Sequence, residues 1–179
     1  MAFYTLKVAG VERQLPILPV SDKTSIAAFI MFSDVELTVA CAGELLKKVG
    51  DFDVILTAES KGIPIAYELA RQSGKSYVVG RKSVKLYMTD PISVNVRSIT
   101  TMGVQTLYLS QEDASKLRGK KVLIADDVIS TGESLIALEK LCEEAGGEIA
   151  CKAAVLAEGD AADRKDIVFL EKLPLFPNE

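Results

Sequence analysis

Val122-Leu123-Ile124-Ala125-Asp126-Asp127-Val128-Ile129-Ser130-Thr131-Gly132-Glu133-Ser134 is the stretch whose reading decides the fold. An apolar run of strand length ends at two consecutive carboxylates and passes through Val128-Ile129 into a small, hydroxylated turn. Helical spacing then runs from Gly132 to Ala145 and stops at Gly146-Gly147. A strand that hands over to a helix through such a turn gathers unpaired N–H groups and the positive end of the helix dipole in one place. That place suits a phosphate monoester, and Ser130, Thr131 and Ser134 can add hydroxyl donors. Asp126 and Asp127 side by side near a phosphate would repel it unless they met hydroxyls or a metal ion. Ribose 2′- and 3′-hydroxyls supply such donors, and Mg²⁺ takes oxygen ligands that a diphosphate can share.

Outward from this stretch the same alternation repeats. Asp53–Ala58 reads as a buried strand and Ile63–Gln72 as a helix stopped near Gly74. Ser76–Gly80 is a strand, Gln105–Leu109 another, and Ser110–Leu117 a short helix with Ser110 at its cap. Lys121–Ala125 and Glu148–Leu156 complete the strands, and Asp34 caps a helix that Gly50 ends. Strands alternating with helices imply βαβ crossovers, so the expectation is an α/β fold with a mainly parallel central sheet flanked by helices. Ligands of such sheets bind at the carboxyl ends of the strands. Residues 3–20 read as a proline-interrupted hairpin and Ser25–Phe32 as an apolar strand. The long connection 81–103, containing Pro91 and an antiparallel ribbon around Ile92–Ile99, has the length of a lid or binding loop. The chain is expected to be one domain over residues 1–179, with a core at about 34–157 and a small hood from about 1–32 and 158–179.

Composition narrows the chemistry. The absence of histidine removes Ser-His-Asp and Cys-His catalysis and the common His-containing zinc sites. Cys41, Cys142 and Cys151 have no CxxC or metal-ligand spacing and are expected to pack as small hydrophobes. No apolar run reaches the roughly 18–20 residues of a membrane span and the N-terminus lacks a signal-peptide pattern, so no membrane association and a cytoplasmic location are expected. Net charge is −4, yet Lys61, Arg71, Lys75, Arg81, Lys82, Lys85 and Arg97 concentrate cations in one segment, against only Glu68 and Asp90. A local basic patch in an acidic protein suits a small polyanion such as a diphosphate better than a nucleic acid.

The 122–134 pattern of four apolar residues, two acids and a Thr-Gly turn resembles the signature of the type I phosphoribosyltransferases. By that resemblance Asp126 and Asp127 hold the ribose hydroxyls as catalytic residues, and Ser130, Thr131, Gly132, Glu133 and Ser134 hold the 5-phosphate. Glu133 is expected to point outward, since an inward carboxylate would oppose the phosphate. Ala58-Glu59-Ser60-Lys61-Gly62 looks like the family's diphosphate loop, and Gly62 permits a close approach. Arg81-Lys82-Ser83-Val84-Lys85-Leu86 resembles a segment of adenine phosphoribosyltransferases, which implies that Arg81, Lys82 and Lys85 contact the diphosphate. The resemblance covers roughly residues 34–157. It implies transfer of 5-phosphoribosyl from phosphoribosyl diphosphate to a purine base, adenine-type, in nucleotide salvage. It also implies Mg²⁺ held mainly through substrate and water, with Asp126 or Asp127 contributing, and a homodimer.

Two departures leave alternatives open. The mobile loop of adenine phosphoribosyltransferases ends in Ser-x-Glu-Tyr-Gly, whereas Ser98-Ile99-Thr100-Thr101-Met102-Gly103 lacks the Glu-Tyr pair. The acceptor could then be hypoxanthine, xanthine, guanine or a pyrimidine, or the chain could be a non-catalytic sensor of phosphoribosyl diphosphate. The base-selecting hood carries no readable pattern. Phe169 or Leu170 of the tail lies either in the core or against a flat ring.

Overall fold

A computed structural model describes residues 2–97 and 104–178. Its centre is a five-stranded, wholly parallel sheet built from β4 (Val54–Ala58), β5 (Ser76–Gly80), β8 (Lys121–Ile129), β9 (Glu148–Glu158) and β10 (Val168–Leu173), in the order β10-β9-β8-β4-β5. Every residue of β4 is buried, as expected of a strand covered on both faces. Alternation along the strands divides the interior in two. Ile55, Leu123, Ala125 and Val155 face one layer, where they meet Leu37, Cys41 and Leu45 of α1 (Val35–Leu46) and Ile65 and Leu69 of α2 (Ile63–Ser73). Val54, Leu56, Val122 and Ile124 face the other, against α3 (Gln111–Leu117) and Leu135, Leu138 and Leu141 of α4 (Glu133–Glu144).

The helix ends follow from the sequence. Asp34 accepts from the Leu37 N–H at 3.1 Å and Ser110 from the Asp113 N–H at 3.0 Å, each meeting a donor that the first helical turn leaves open. Gly74, at φ 69°, closes α2 in the left-handed conformation.

The hood is an antiparallel sheet of β1 (Phe3–Val8), β2 (Val11–Pro19), β3 (Thr24–Ala27) and β11 (Leu175–Pro177), in the order β1-β2-β3-β11. It shares a core with the main sheet: Leu6, Val8, Leu15 and Phe29 belong to the same apolar cluster as Ile55 and Leu123. The link is also ionic. Arg13 of β2 grips Asp34 at the head of α1 through Nε to Oδ2 at 2.7 Å and Nη2 to Oδ1 at 2.9 Å, and reaches Glu36 at 2.7 Å.

Three sequence expectations shift. The tail does not lie wholly in the hood, since β10 pairs in parallel with β9 from Val168↔Ala153 to Leu173↔Glu158, and only β11 crosses to β3. Phe169 and Leu170 consequently pack against the two cores rather than against a ligand space. The strand at 105–109 is part of β7 (Val104–Leu109), which pairs antiparallel with β6 (Ile92–Arg97) outside the main sheet and lies on α4. Its inward face carries Leu107 and Leu109, so one buried face suffices where a parallel strand needs two. Finally, Ser25–Phe32 is strand only to Ala27; residues 28–32 run on as irregular chain.

Candidate active site

The acid pair sits inside β8, which continues to Ile129 rather than ending at Ala125. Pairing with β9 carries it onward, through Asp126↔Ala154 and Val128↔Leu156 to Ile129↔Ala157. Asp127 is only 4% exposed and its Oδ2 has no hydrogen-bond partner among the described residues. Asp126 is half-buried and accepts the Asp127 N–H at 2.9 Å through Oδ1. Burial, and then the adjoining Asp127 charge, push the Asp126 carboxyl well above the ordinary carboxylate range. Beyond that one backbone N–H the two carboxyls meet no donor among the described residues, and hydroxyls or a hard cation would supply what they lack.

Gly62 lies against this pair. A Cβ there would run into Thr57 Oγ1 and stand 2.8 Å from Asp126 Oδ1, so only glycine lets the head of α2 approach so closely. Thr57 Oγ1 is itself buried without a partner among the described residues. Just before Gly62, the Glu59–Ser60 peptide is cis, and Ser60 and Lys61 are exposed beyond the end of β4.

Glu59 organises the basic segment. Its carboxylate accepts the Lys82 N–H at 3.0 Å and lies 3.4 Å from Arg81 Nη2 and 3.9 Å from Lys85 Nζ. The Lys82 N–H first, then the Arg81, Lys85 and Lys82 charges, hold Glu59 below its usual range. Lys85 Nζ also donates to Ser83 Oγ at 2.7 Å.

Gly132 opens the other loop at φ 81°, a left-handed value that starts α4 without a side-chain cap. A Cβ on it would come 2.9 Å from Arg164 Nη1. Arg164 is fixed there by Asp166, which accepts from Nε at 2.9 Å and from Nη2 at 2.7 Å. Gln105 of β7 reaches Ser134 Oγ with Nε2 at 3.4 Å, tying the ribbon to the turn.

These loops meet in one cavity of about 680 Å³. Glu59, Ser60, Lys61, Lys82, Asp126, Asp127, Ser130 and Ser134 line it, opposite Ile26–Ile30 and Phe32 of the hood. Thr131, Gly132 and Glu133 line a small adjoining cleft with Ser130 and Ser134. Glu133 is half-buried and lines this cleft, rather than standing fully in solvent. Arg81 and Lys85 do not line the cavity; both are drawn to Glu59. The divergent 98–103 stretch lies outside the described residues.

Sequence reading missed Thr57, Arg164, Glu158 and Leu173. Thr57 carried the one available signal, a hydroxyl inside an otherwise apolar strand. The others come from distant segments and reach the site only through the register of β9 and β10 and the turn between them.

A parallel sheet whose central strands end in an acid pair, a cation-bearing loop and a hydroxyl turn offers acceptors for hydroxyl groups and donors and cations for phosphate groups in one place. The chain belongs to the phosphoribosyltransferase domain family, whose model matches residues 38–174. This is a family of glycosyltransferase-type enzymes. An adenine phosphoribosyltransferase of Acetivibrio thermocellus is 35% identical over 141 residues, which are 76% of this chain and 79% of that protein. A hypoxanthine/guanine phosphoribosyltransferase of Methanococcus voltae is 36% identical over 114 residues, 64% of this chain but only 57% of that protein's length. The crystal structure of adenine phosphoribosyltransferase from Thermoanaerobacter pseudethanolicus superposes with a TM-score of 0.68 at 26% identity, covering 79% of this chain and 84% of that one.

Proposed function

We propose that this protein transfers the 5-phosphoribosyl group of phosphoribosyl diphosphate to a purine base, giving a nucleoside 5′-monophosphate and diphosphate. The observation that carries the reading is the single cavity in which acid pair, cationic loop, hydroxyl turn and apolar hood face one another. The relatives named for adenine and for hypoxanthine/guanine make a purine the acceptor class and leave the particular base open.

In this mechanism the 5-phosphate lies on the N–H groups of residues 130–134 at the positive end of α4. Arg164 Nη1 adds charge from behind Gly132. Asp126 and Asp127 accept the ribose 2′- and 3′-hydroxyls, which answers the orphaned Asp127 Oδ2. Negative charge on this pair lies beside C1 as the bond to diphosphate breaks and an oxocarbenium-like centre develops. A cation or hydroxyl donors arriving with the substrate favour ionisation of the Asp126 carboxyl that burial holds back, so the charge stabilises the transition state more than the ground state. Ser60, Lys61 and Lys82 receive the departing diphosphate. Glu59 keeps the Arg81–Lys85 segment gathered above them. Mg²⁺, bound chiefly by diphosphate and water with Asp126 or Asp127 in support, would neutralise the leaving group. The hood walls off water from C1 while a base nitrogen forms the new bond. No step needs an imidazole, in keeping with a chain that has no histidine.

A homodimer belongs to the same proposal. Val35, Val39 and Tyr67 are exposed on α1 and α2 around an apolar cleft, the kind of face that a second copy covers.

The test is incubation with phosphoribosyl diphosphate, Mg²⁺ and each purine in turn, with chromatographic detection of the nucleotide. Formation of one or two monophosphates is expected. If none forms from any purine while Mg²⁺-dependent binding of phosphoribosyl diphosphate persists, the transferase reading fails and the sensor takes its place.

A further inference from the structure

The sugar, phosphate and diphosphate contacts proposed above use the cavity's loops at β4, β5 and β8. Apart from Gln105, which is engaged with Ser134, what remains of the lining is apolar: Ala28, Phe29 and Ile30 on the hood side, with Val128 of β8 and Leu173 of β10. One charged side chain stands among them, Glu158, at the carboxyl end of β9 and directly in register with Leu173 of β10. No other ionisable residue of the lining lies outside the three loops.

Glu158 is half-buried, and its carboxylate forms no hydrogen bond or ion pair among the described residues. That separates it from Glu59, which is satisfied by the basic segment. Burial pushes the Glu158 carboxyl upward, and the nearby Lys61 charge works against this. A carboxylate that has lost water and gained no partner is costly in folding terms. A ligand that brings donors into the cavity removes that cost.

Resting on the phosphoribosyltransferase reading, we propose that Glu158 selects the base by accepting a hydrogen bond from a purine that carries an exocyclic amino group. A base joined to ribose C1 has to lie in the apolar part of the cavity, flat between hood and sheet, with Glu158 at its edge. An ionised carboxylate only accepts. The amino group of adenine, or the adjoining amino and ring N–H groups of guanine, meets it with donors. Held in the pose that gives the amino group to Glu158, hypoxanthine and xanthine put a carbonyl oxygen or a C–H in its place, and only a ring N–H is left to donate. A site built around a substrate N–H discriminates strongly against analogues that lack it, since its own polar group is then left unpaired.

The experiment measures equilibrium binding of adenosine, guanosine, inosine and xanthosine monophosphates to the wild-type protein and to Glu158→Leu, Glu158→Lys and Glu158→Gln, alongside transfer to the four free bases. Ribose and phosphate are common to all four ligands, so the comparison isolates the base. The wild type should favour at least one amino-bearing nucleotide by roughly 10- to 100-fold over both oxo-only ones, the span of a single charge-assisted hydrogen bond. Glu158→Leu should erase that ratio and Glu158→Lys should invert it. Glu158→Gln, equal in size and still an acceptor, should retain part of it. Unchanged binding of phosphoribosyl diphosphate in each variant shows that the fold and the three loops are intact.

A ratio indifferent to residue 158, or a wild type that prefers inosine or xanthosine monophosphate, overturns the inference. The two levels separate cleanly. Transfer to a base with a ratio insensitive to residue 158 sinks this proposal alone. A ratio that follows residue 158 without any transfer sinks the transferase reading and leaves base selection by Glu158 standing.

Discussion

The two walls of the cavity are built by opposite means. The sheet wall is local: each of its loops follows one strand within a few residues, and its chemistry is written in consecutive side chains such as Asp126-Asp127 and Ser130–Ser134. The hood wall is assembled from residues 26–32, 158 and 173, which meet only after β3, β9, β10 and β11 have found their partners. Under the proposed function the sheet wall, dense in charge, would face the part of the substrate that never varies. The hood wall would face a flat, variable base, for which apolar surface and a single carboxylate suffice.

The largest expected effect lies on the sheet wall. Asp127→Asn keeps the size of a buried side chain and removes its charge; it should lower kcat by roughly 100- to 1000-fold, the scale for removing one preorganised electrostatic contact. A steady-state rate measurement checks this, and a loss below tenfold would detach Asp127 from the chemistry. Leu6→Ala probes the hood. Leu6 is fully buried in the core it shares with the main sheet. The expected cost is about 2–5 kcal/mol of stability. Thermal unfolding should still show one transition, because hood and sheet share their interior; a separate low-temperature step would show the hood to be an independent unit.

Gly62→Ala should have an intermediate effect. The new methyl meets Thr57 Oγ1 and Asp126 Oδ1, and Thr57 is fully buried. Overpacking of this kind costs about 1–3 kcal/mol, and here it also displaces the acid pair. Activity should therefore fall further than the melting temperature alone would suggest. An alanine variant with normal kinetics would contradict the close approach.

Arg13→Ala tests the ionic tie between hood and α1, and its effect should be the smallest. The Arg13 guanidinium holds the Asp34 carboxyl below its ordinary value. A carboxylate with a lowered folded-state pKa stabilises fully above the unfolded value of about 3.9, and that contribution disappears as pH falls through the lower folded value. Wild type and variant should therefore differ in melting temperature at pH 5 to 7 and converge in strong acid. A gap that persists unchanged at low pH would mean that Arg13 acts through packing of its stem.

How much of this was legible in the sequence follows the same division. The parallel sheet, the helix caps at Asp34 and Ser110, and the loops at 59–62 and 130–134 could be read because each depends on neighbours along the chain. The end of β8 is not legible, because its continuation past Ala125 to Ile129 depends on pairing with β9, which no local pattern reports. β7 looked like any other strand, since period-2 apolar spacing is the same in a two-stranded ribbon and in a sheet. The basic segment was recognised, yet its hold by Glu59 was not, because a carboxylate and three cations over twenty residues apart carry no shared periodicity. Glu158 gave no signal at all. A single acid at the end of an apolar strand is common, and its meaning lies in having no partner once the strand is in place.

The central claim is that both walls serve one reaction at one C1 atom. Diphosphate release is the most direct measure of it, recorded with phosphoribosyl diphosphate and Mg²⁺ in the presence and absence of each purine base, for the wild type and for Asp127→Asn. The account predicts release that depends on a particular base, matches the nucleotide formed one for one, and collapses in Asp127→Asn. Release that proceeds equally without any base, or that survives the Asp127 substitution, would contradict it.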